Sequence, residues 1–321
     1  MRVVQDLLHT QAETTQRLVV TIGVFDGVHL GHQRVIEELV KYAGELGGSE
    51  SQAPVVPAVV TFDPVPAQVL YPETFPGLLT ETDYKLQLME GLGIQLVFVL
   101  VFDRGLADMS PEQFVRQVLV EKLRTEGVVV GHDWRFGSSG TGDHNEITAL
   151  GKRYGFGVRQ TEPYLVDGRP VSSTLVRARI LEGDLSGAGR LLGRRYALYG
   201  PVTKGSGLGR ELGFRTANID PEGRVLPPDG IYAASVRFDG QELPAALYIG
   251  TSPTVKQQSE RTVEVHILNY RGELYGTKIE VVILKRLRDE KKFPDRDSLR
   301  SQIAEDIERT RQFMEDIRRV R

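Results

Sequence analysis

Two histidines three residues apart, His29 and His32, lie within Gly23-Val24-Phe25-Asp26-Gly27-Val28-His29-Leu30-Gly31-His32, between an apolar run and a helical pattern. Gly23, Gly27 and Gly31 let the backbone turn tightly and approach a ligand with no Cβ in the way. A helix that begins here offers its N–H groups and positive dipole end to a phosphate, with Phe25 and Asp26 in the same turn. A spacing of three lets both imidazoles aim at one spot, where they could stabilise charge building on a phosphorus centre under attack. The segment is not a P-loop, and it does not match the Gly-x-Gly-x-x-Gly dinucleotide spacing. Further on, Val171-Ser172-Ser173-Thr174-Leu175-Val176-Arg177 places hydroxyls at a helix start and an Arg one turn later. Ser173, Thr174 and Arg177 together can hold a triphosphate. Between the two segments, Gly131-His132-Asp133-Trp134-Arg135-Phe136 forms an aromatic and basic loop at a strand end, where open α/β sheets bind ligands. Trp134 by itself reads as a core aromatic.

A second constellation follows about thirty residues later. Gly205, Gly207 and Gly209 punctuate a loop whose backbone amides can wrap a polyphosphate. Thr216 and Asn218 alternate along an extended segment and so share a side, offering hard oxygen ligands suited to Mg²⁺. On another strand, Thr262-Val263-Glu264-Val265-His266 puts Glu264 and His266 on one face. An inward carboxylate in a small barrel is costly without a partner, and as a general base it could take a proton from an alcohol.

These residues need elements to hold them. Leu18–Gly23, Ala58–Phe62, Gln95–Phe102 and Val128–Gly131 read as buried strands, and Val35, Ile36, Leu39, Val40 and Ala43 recur at helical spacing. Ser110-Pro111-Glu112-Gln113 is a helix start. Strands alternating with helices imply a parallel sheet covered on both faces. After about residue 185 the rhythm changes to five strand-like runs with turn signals between them, the pattern of an antiparallel sandwich or barrel. A closing helix carries the stripe Leu299, Ile303, Ile307, Thr310, Phe313 and Ile317, opened by the cap-like Asp297. The fold class is therefore α/β followed by a β-rich half, with domains expected at 1–185 and 186–321.

Forty Lys plus Arg against forty-three Asp plus Glu leave a net charge of −3 over 321 residues, against a partner bound mainly through phosphate-backbone charge, such as nucleic acid. No cysteine is present, which excludes disulfides, thiolate metal clusters and cysteine nucleophiles. The longest strongly apolar stretch, Leu96–Phe102, is too short for a bilayer, and no signal-peptide core follows Met1, so the expected place is the cytoplasm with no membrane partner.

The first constellation resembles the His-x-Gly-His signature of the nucleotidylyltransferase superfamily, and the segment ending at Arg177 resembles that superfamily's second signature. Taken in order with Thr61-Phe62-Asp63-Pro64, Leu191-Leu192-Gly193-Arg194, Ile249-Gly250-Thr251-Ser252-Pro253-Thr254 and Leu274-Tyr275-Gly276, the motifs resemble the bacterial bifunctional riboflavin kinase/FMN adenylyltransferase family from about Val19 to Thr310. The resemblance implies a Rossmann-like adenylyltransferase domain joining ATP and FMN into FAD. It further implies a β-barrel riboflavin kinase domain that makes FMN from riboflavin with Mg-ATP. On this reading His29 and His32 stabilise charge, Ser173, Thr174 and Arg177 hold phosphates, and Asp133 lies near the flavin or its phosphate. Thr216 and Asn218 serve the metal, and Glu264 is the base. Three departures from the family pattern stand out: Arg215 where Pro is usual, Val65 where many relatives have His, and Asn269 where Asp is frequent. Nucleotidylyl transfer to another phosphate acceptor, and an adenylyltransferase with a degenerate, flavin-binding or regulatory kinase module, are the alternatives; Arg215 supports the latter.

Overall fold

The protein is described by a computed structural model covering residues 1–8, 16–48, 53–205, 208–251 and 261–320. Packing divides the chain into two compact units, Met1–Pro76 with Glu81–Ser173, and Gly77–Thr80 with Thr174–Arg321.

The first unit is built on a sheet of β1 (Arg2–Gln5), β2 (Arg17–Ile22), β3 (Val55–Phe62), β4 (Leu96–Leu100), β5 (Thr125–Val130) and β6 (Gly157–Gln160). They stand in the order β1-β4-β3-β2-β5-β6, and every pairing is parallel. Alternation explains why the central strands are apolar throughout. Leu18, Val20 and Ile22 enter one core cluster and Val19 the other, so both faces of β2 are buried. The covering helices are α1 (Leu30–Gly47), α2 (Pro66–Leu70), α3 (Thr82–Gly91), α4 (Arg104–Ala107), α5 (Pro111–Phe114), which continues as a π-helical turn, and α6 (His144–Tyr154). Ser110 caps α5 in a reciprocal capping box with Gln113, and Pro111 takes the first helical position. The strand order runs outward from β2 in both directions, so the loop after β2 opens at the point where the order reverses, the place where such sheets hold ligands. A short hairpin, β7 (Leu165–Val166) with β8 (Arg169–Pro170), precedes α7 (Ser173–Leu181).

In the second unit, α8 (Leu185–Leu192) leads into β9 (Ala197–Thr203), α9 (Leu208–Glu211), β10 (Ala217–Ile219), β11 (Gly230–Phe238), β12 (Gln241–Thr251), β13 (Arg261–Ile267) and β14 (Lys278–Asp289). These six strands close into an antiparallel barrel in the order β10-β13-β12-β11-β14-β9. Val263, Val265 and Ile267 are buried, as are Leu247, Ile249, Val281 and Ile283. The period of two then carries Glu264 and His266 to the other side of β13, so the expected inward-facing carboxylate is corrected: Glu264 lies half-buried on the barrel's outer face. The chain ends in α10 (Arg296–Val320). Its cap also differs from expectation. Asp295, not Asp297, accepts from the backbone amide of Ser298 at 2.7 Å, because Asp297 already lies inside the first turn. Asp306 in its apolar stripe is buried and paired with Arg288 of β14, Oδ2 to Nη2 2.7 Å.

Candidate active sites

In the first unit the turn from β2 into α1 brings the histidines together. Their rings stack with centroids 3.6 Å apart and planes 16° from parallel. His29 is the N-cap of α1, and its Nδ1 accepts from the backbone amide of His32 at 3.3 Å, the work usually done by Ser or Asp. Phe25 meets the His32 ring edge-on at 5.2 Å. Gly27 has φ +88°, a backbone angle that favours glycine, and Gly31 packs tightly, since a Cβ there would lie 3.1 Å from the His29 imidazole and 3.3 Å from the Val171 carbonyl. Asp26 is buried. Its carbonyl accepts from the Ser173 hydroxyl at 2.8 Å, which joins the second sequence signature to the first. Thr174 and Arg177 follow on α7 within the second unit, where Arg177 Nε donates to the Gly77 carbonyl at 2.9 Å.

Asp133 is well exposed in the loop after β5, with a carboxylate oxygen 3.7 Å from His132 Nδ1. Trp134 stacks on Phe136 at 4.6 Å and packs against the core, consistent with its reading as a core aromatic. Val65, where His is common in relatives, is buried.

The second site is a row of side chains on the barrel's outer face. In register, Asn218 of β10 pairs with Glu264 of β13, and Glu264 pairs with Tyr248 of β12. The Thr216 hydroxyl donates to Glu264 Oε2 at 3.1 Å. The glycines crowd these groups: a Cβ at Gly205 would lie 2.2 Å from the Asn218 amide nitrogen, and one at Gly209 would lie 2.6 Å from the Phe214 carbonyl and 3.1 Å from Thr216 Oγ1. Gly207, like Ser252, Pro253 and Thr254 of the later motif, lies outside the described residues. A cavity of about 400 Å³ opens beside the row, lined among others by Arg215, Thr216, Asn218, Tyr270, Leu274 and Tyr275. Arg215 turns its guanidinium to the Arg271 carbonyl at 3.1 Å, while its own carbonyl is 2.8 Å from His266 Nδ1. Asn269 has φ +60°, a conformation that Asn tolerates well.

Several residues near these sites escaped the sequence reading. The Tyr248 hydroxyl donates to Glu290 at 2.6 Å, and burial, with Glu290 and Glu264 nearby, pushes its pKa up. Glu290 comes from the far end of the chain, and no local pattern links it to Tyr248. Lys85 is 2% exposed on α3, sharing the buried face of that helix with Tyr84 and Met89. A lysine one turn before a buried methionine was the available signal.

The FAD synthetase family model matches residues 11–175, and the riboflavin kinase family model matches 192–314. The bifunctional riboflavin kinase/FMN adenylyltransferase of Escherichia coli (strain K12) is 35% identical over 314 residues, covering 98% of each chain. That of Pseudomonas fluorescens is 36% identical over 300 residues, covering 94% of each. A crystal structure from Streptococcus pneumoniae described as a macrolide-efflux protein superposes with a TM-score of 0.79 at 27% identity, over 96% of this chain and 98% of that one. Among the described residues no helix is long and apolar enough to cross a membrane. With each half matched by its own family model and the whole length shared with full-length relatives, the chain belongs to the bifunctional riboflavin kinase/FMN adenylyltransferase family.

Proposed function

We propose that the chain makes FAD from riboflavin in two ATP-dependent steps in the cytoplasm, with a kinase module at 186–321 and an adenylyltransferase module at 1–185. The observation that carries this reading is that the stacked pair His29 and His32 lies in the first unit, while the Thr216 hydroxyl bonded to the Glu264 carboxylate lies in the second.

In the kinase step the riboflavin 5′-hydroxyl oxygen bonds to the γ-phosphorus of ATP, the bond from that phosphorus to the β,γ-bridging oxygen breaks, and ADP leaves. The hydroxyl proton goes to Glu264. Thr216 Oγ1 and the Asn218 amide oxygen are hard neutral donors against the glycine loop and fit Mg²⁺, which when bound would neutralise phosphate charge.

In the adenylyl step a phosphate oxygen of FMN bonds to the α-phosphorus of ATP, the bond from that phosphorus to the α,β-bridging oxygen breaks, and pyrophosphate leaves. The nucleophile is already an anion, so no base is needed. Positioning and charge stabilisation fall to His29, His32 and the start of α1, with Gly23, Phe25, Asp26, Gly27 and Gly31 shaping the turn. Ser173, Thr174 and Arg177 serve the phosphates, Ser173 in part through the Asp26 carbonyl it already holds. Asp133, on an exposed loop, is assigned to the flavin side.

Arg215 is accommodated without closing the kinase site: its carbonyl meets His266 and its guanidinium is turned to the Arg271 carbonyl. Incubating the protein with ATP, Mg²⁺ and either riboflavin or FMN, then separating the flavins, tests both modules. Riboflavin should yield FMN and FAD, and FMN should yield FAD. FMN left unconverted would reject the first module's role, and riboflavin left unconverted would reject the second's.

A further inference from the structure

The loop from Gly23 to His29 is held in a shape that its residues resist. Phe25 has φ +53° and Val28 φ +41°, and a β-branched residue in the left-handed region is a steric outlier. Such strain persists only where the surroundings over-determine it. Three side chains from three helices take hold of alternate carbonyls of this loop. Lys85 Nζ on α3 donates to the Val24 carbonyl at 3.2 Å, the Ser173 hydroxyl at the start of α7 to that of Asp26 at 2.8 Å, and Gln33 Nε2 on α1 to that of Val28 at 2.9 Å. Lys85 also donates to Thr61 Oγ1 at 3.0 Å, and the Thr61 hydroxyl donates in turn to Val24 at 3.2 Å. Lys85 is the costly member. It is almost wholly buried, in a helix position that would pack well as a plain hydrocarbon, and the proton-free chemistry of the first site gives it no acid or base role.

We propose that Lys85 is a positioning residue for adenylyl transfer: by fastening the Val24 carbonyl to Thr61 at the end of β3, it fixes the loop that aims His29 and His32. The proposal rests on reading those histidines as the adenylyl-transfer site. Burial lowers the Lys85 ammonium to about 8 from the ordinary 10.5, against the opposing pull of Asp26 and Asp63, the charged groups that face it from the ends of β2 and β3. Between those two values the unfolded chain keeps a proton that the folded chain has released, so this group adds stability as pH rises. Loss of activity over the same range is therefore not loss of fold through Lys85.

The test uses the full chain, with FAD formation from FMN followed against pH. Deprotonation leaves Lys85 two N–H groups for Val24 and Thr61 but removes the charge that strengthens those bonds and faces Asp26 and Asp63, so wild-type kcat should fall as pH rises through about 8. Lys85→Met keeps the buried stem and removes the ammonium. Its kcat should be about a hundredfold lower, with little change in the KM for ATP, no alkaline limb, and riboflavin phosphorylation as in wild type. Thr61→Val removes one acceptor from the ammonium and should move the limb to lower pH. If Lys85→Met retains the wild-type rate and profile, the proposal is overturned. If that variant fails to fold, Thr61→Val decides, and an unmoved limb overturns it. A wild-type chain that makes no FAD from FMN overturns the site reading along with the proposal, whereas an active wild type with unaffected variants overturns the proposal alone.

Discussion

The two sites meet the same co-substrate with different kinds of structure. The first is a bent backbone at the ends of parallel strands, with two strained non-glycine residues, a stacked imidazole pair and alternate carbonyls held by side chains. The second is a straight row of side chains across three antiparallel strands, Asn218, Glu264 and Tyr248, set by register alone. The difference follows the nucleophile. An FMN phosphate brings its own charge, so the first site has to supply shape, and its one loop carboxylate, Asp26, is buried within electrostatic reach of Lys85. A riboflavin hydroxyl must lose a proton, so the second site has to supply a carboxylate, and a rigid barrel face holds it at a fixed distance from Thr216.

The comparison breaks most visibly at Glu264. Glu264→Gln keeps the volume and an acceptor for the Thr216 hydroxyl but removes the base, and riboflavin phosphorylation should fall about 10³-fold while FAD formation from FMN is unchanged. His29→Ala is the mirror experiment. It removes one imidazole and the cap on the His32 amide, and FAD formation should fall about 10²-fold with riboflavin phosphorylation intact. Product analysis on one preparation of each variant reads both activities. If either substitution abolished both in a folded chain, the sites would not be independent and the contrast between them would fail.

Much of this was legible in the residues. The parallel sheet declared itself through strands buried on both faces, such as Leu18–Ile22, and the barrel through Gly230–Phe238 and its neighbours between turn signals. The edge strands β1 and β6 did not, because four residues of mostly exposed or mixed burial show no period. Alternation paired Thr216 with Asn218 and Glu264 with His266, while only the register of β10 with β13 brings the two pairs together; the same alternation already carried the outward face that the inward reading missed. A strand of alternating apolar and polar residues points its polar side outward when the apolar side fills the interior, as Val263 and Val265 do. Tyr248 with Glu290, and Lys85 with Val24, are contacts across 42 and 61 residues. No local rule joins such positions, and only the closed fold does.

A gentler cut separates the reasons the two sites use glycine. Gly27 is favoured by its backbone angle, whereas Gly209 is required by space, since a Cβ there would press on Phe214 and Thr216. Gly209→Ala should therefore lower riboflavin phosphorylation about tenfold, a change of about 1.4 kcal/mol, without altering FAD formation. An unchanged rate would show that the loop can shift away from Thr216 at little cost. Steady-state rates at saturating ATP read the effect.

The smallest expected change is at Arg215, and it bears on whether the second site is fully equipped. Proline there would fix φ and remove an N–H, but it would leave the carbonyl that His266 meets. What is lost is the guanidinium bond to Arg271, an exposed contact worth no more than about 1 kcal/mol. Arg215→Pro should therefore change kcat for riboflavin phosphorylation by no more than about threefold, in the upward direction if a stiffer approach to Thr216 helps. A loss well beyond tenfold, appearing in the KM for ATP, would mean that Arg215 binds phosphate and that this chain's kinase site has replaced a rigid turn with a charge.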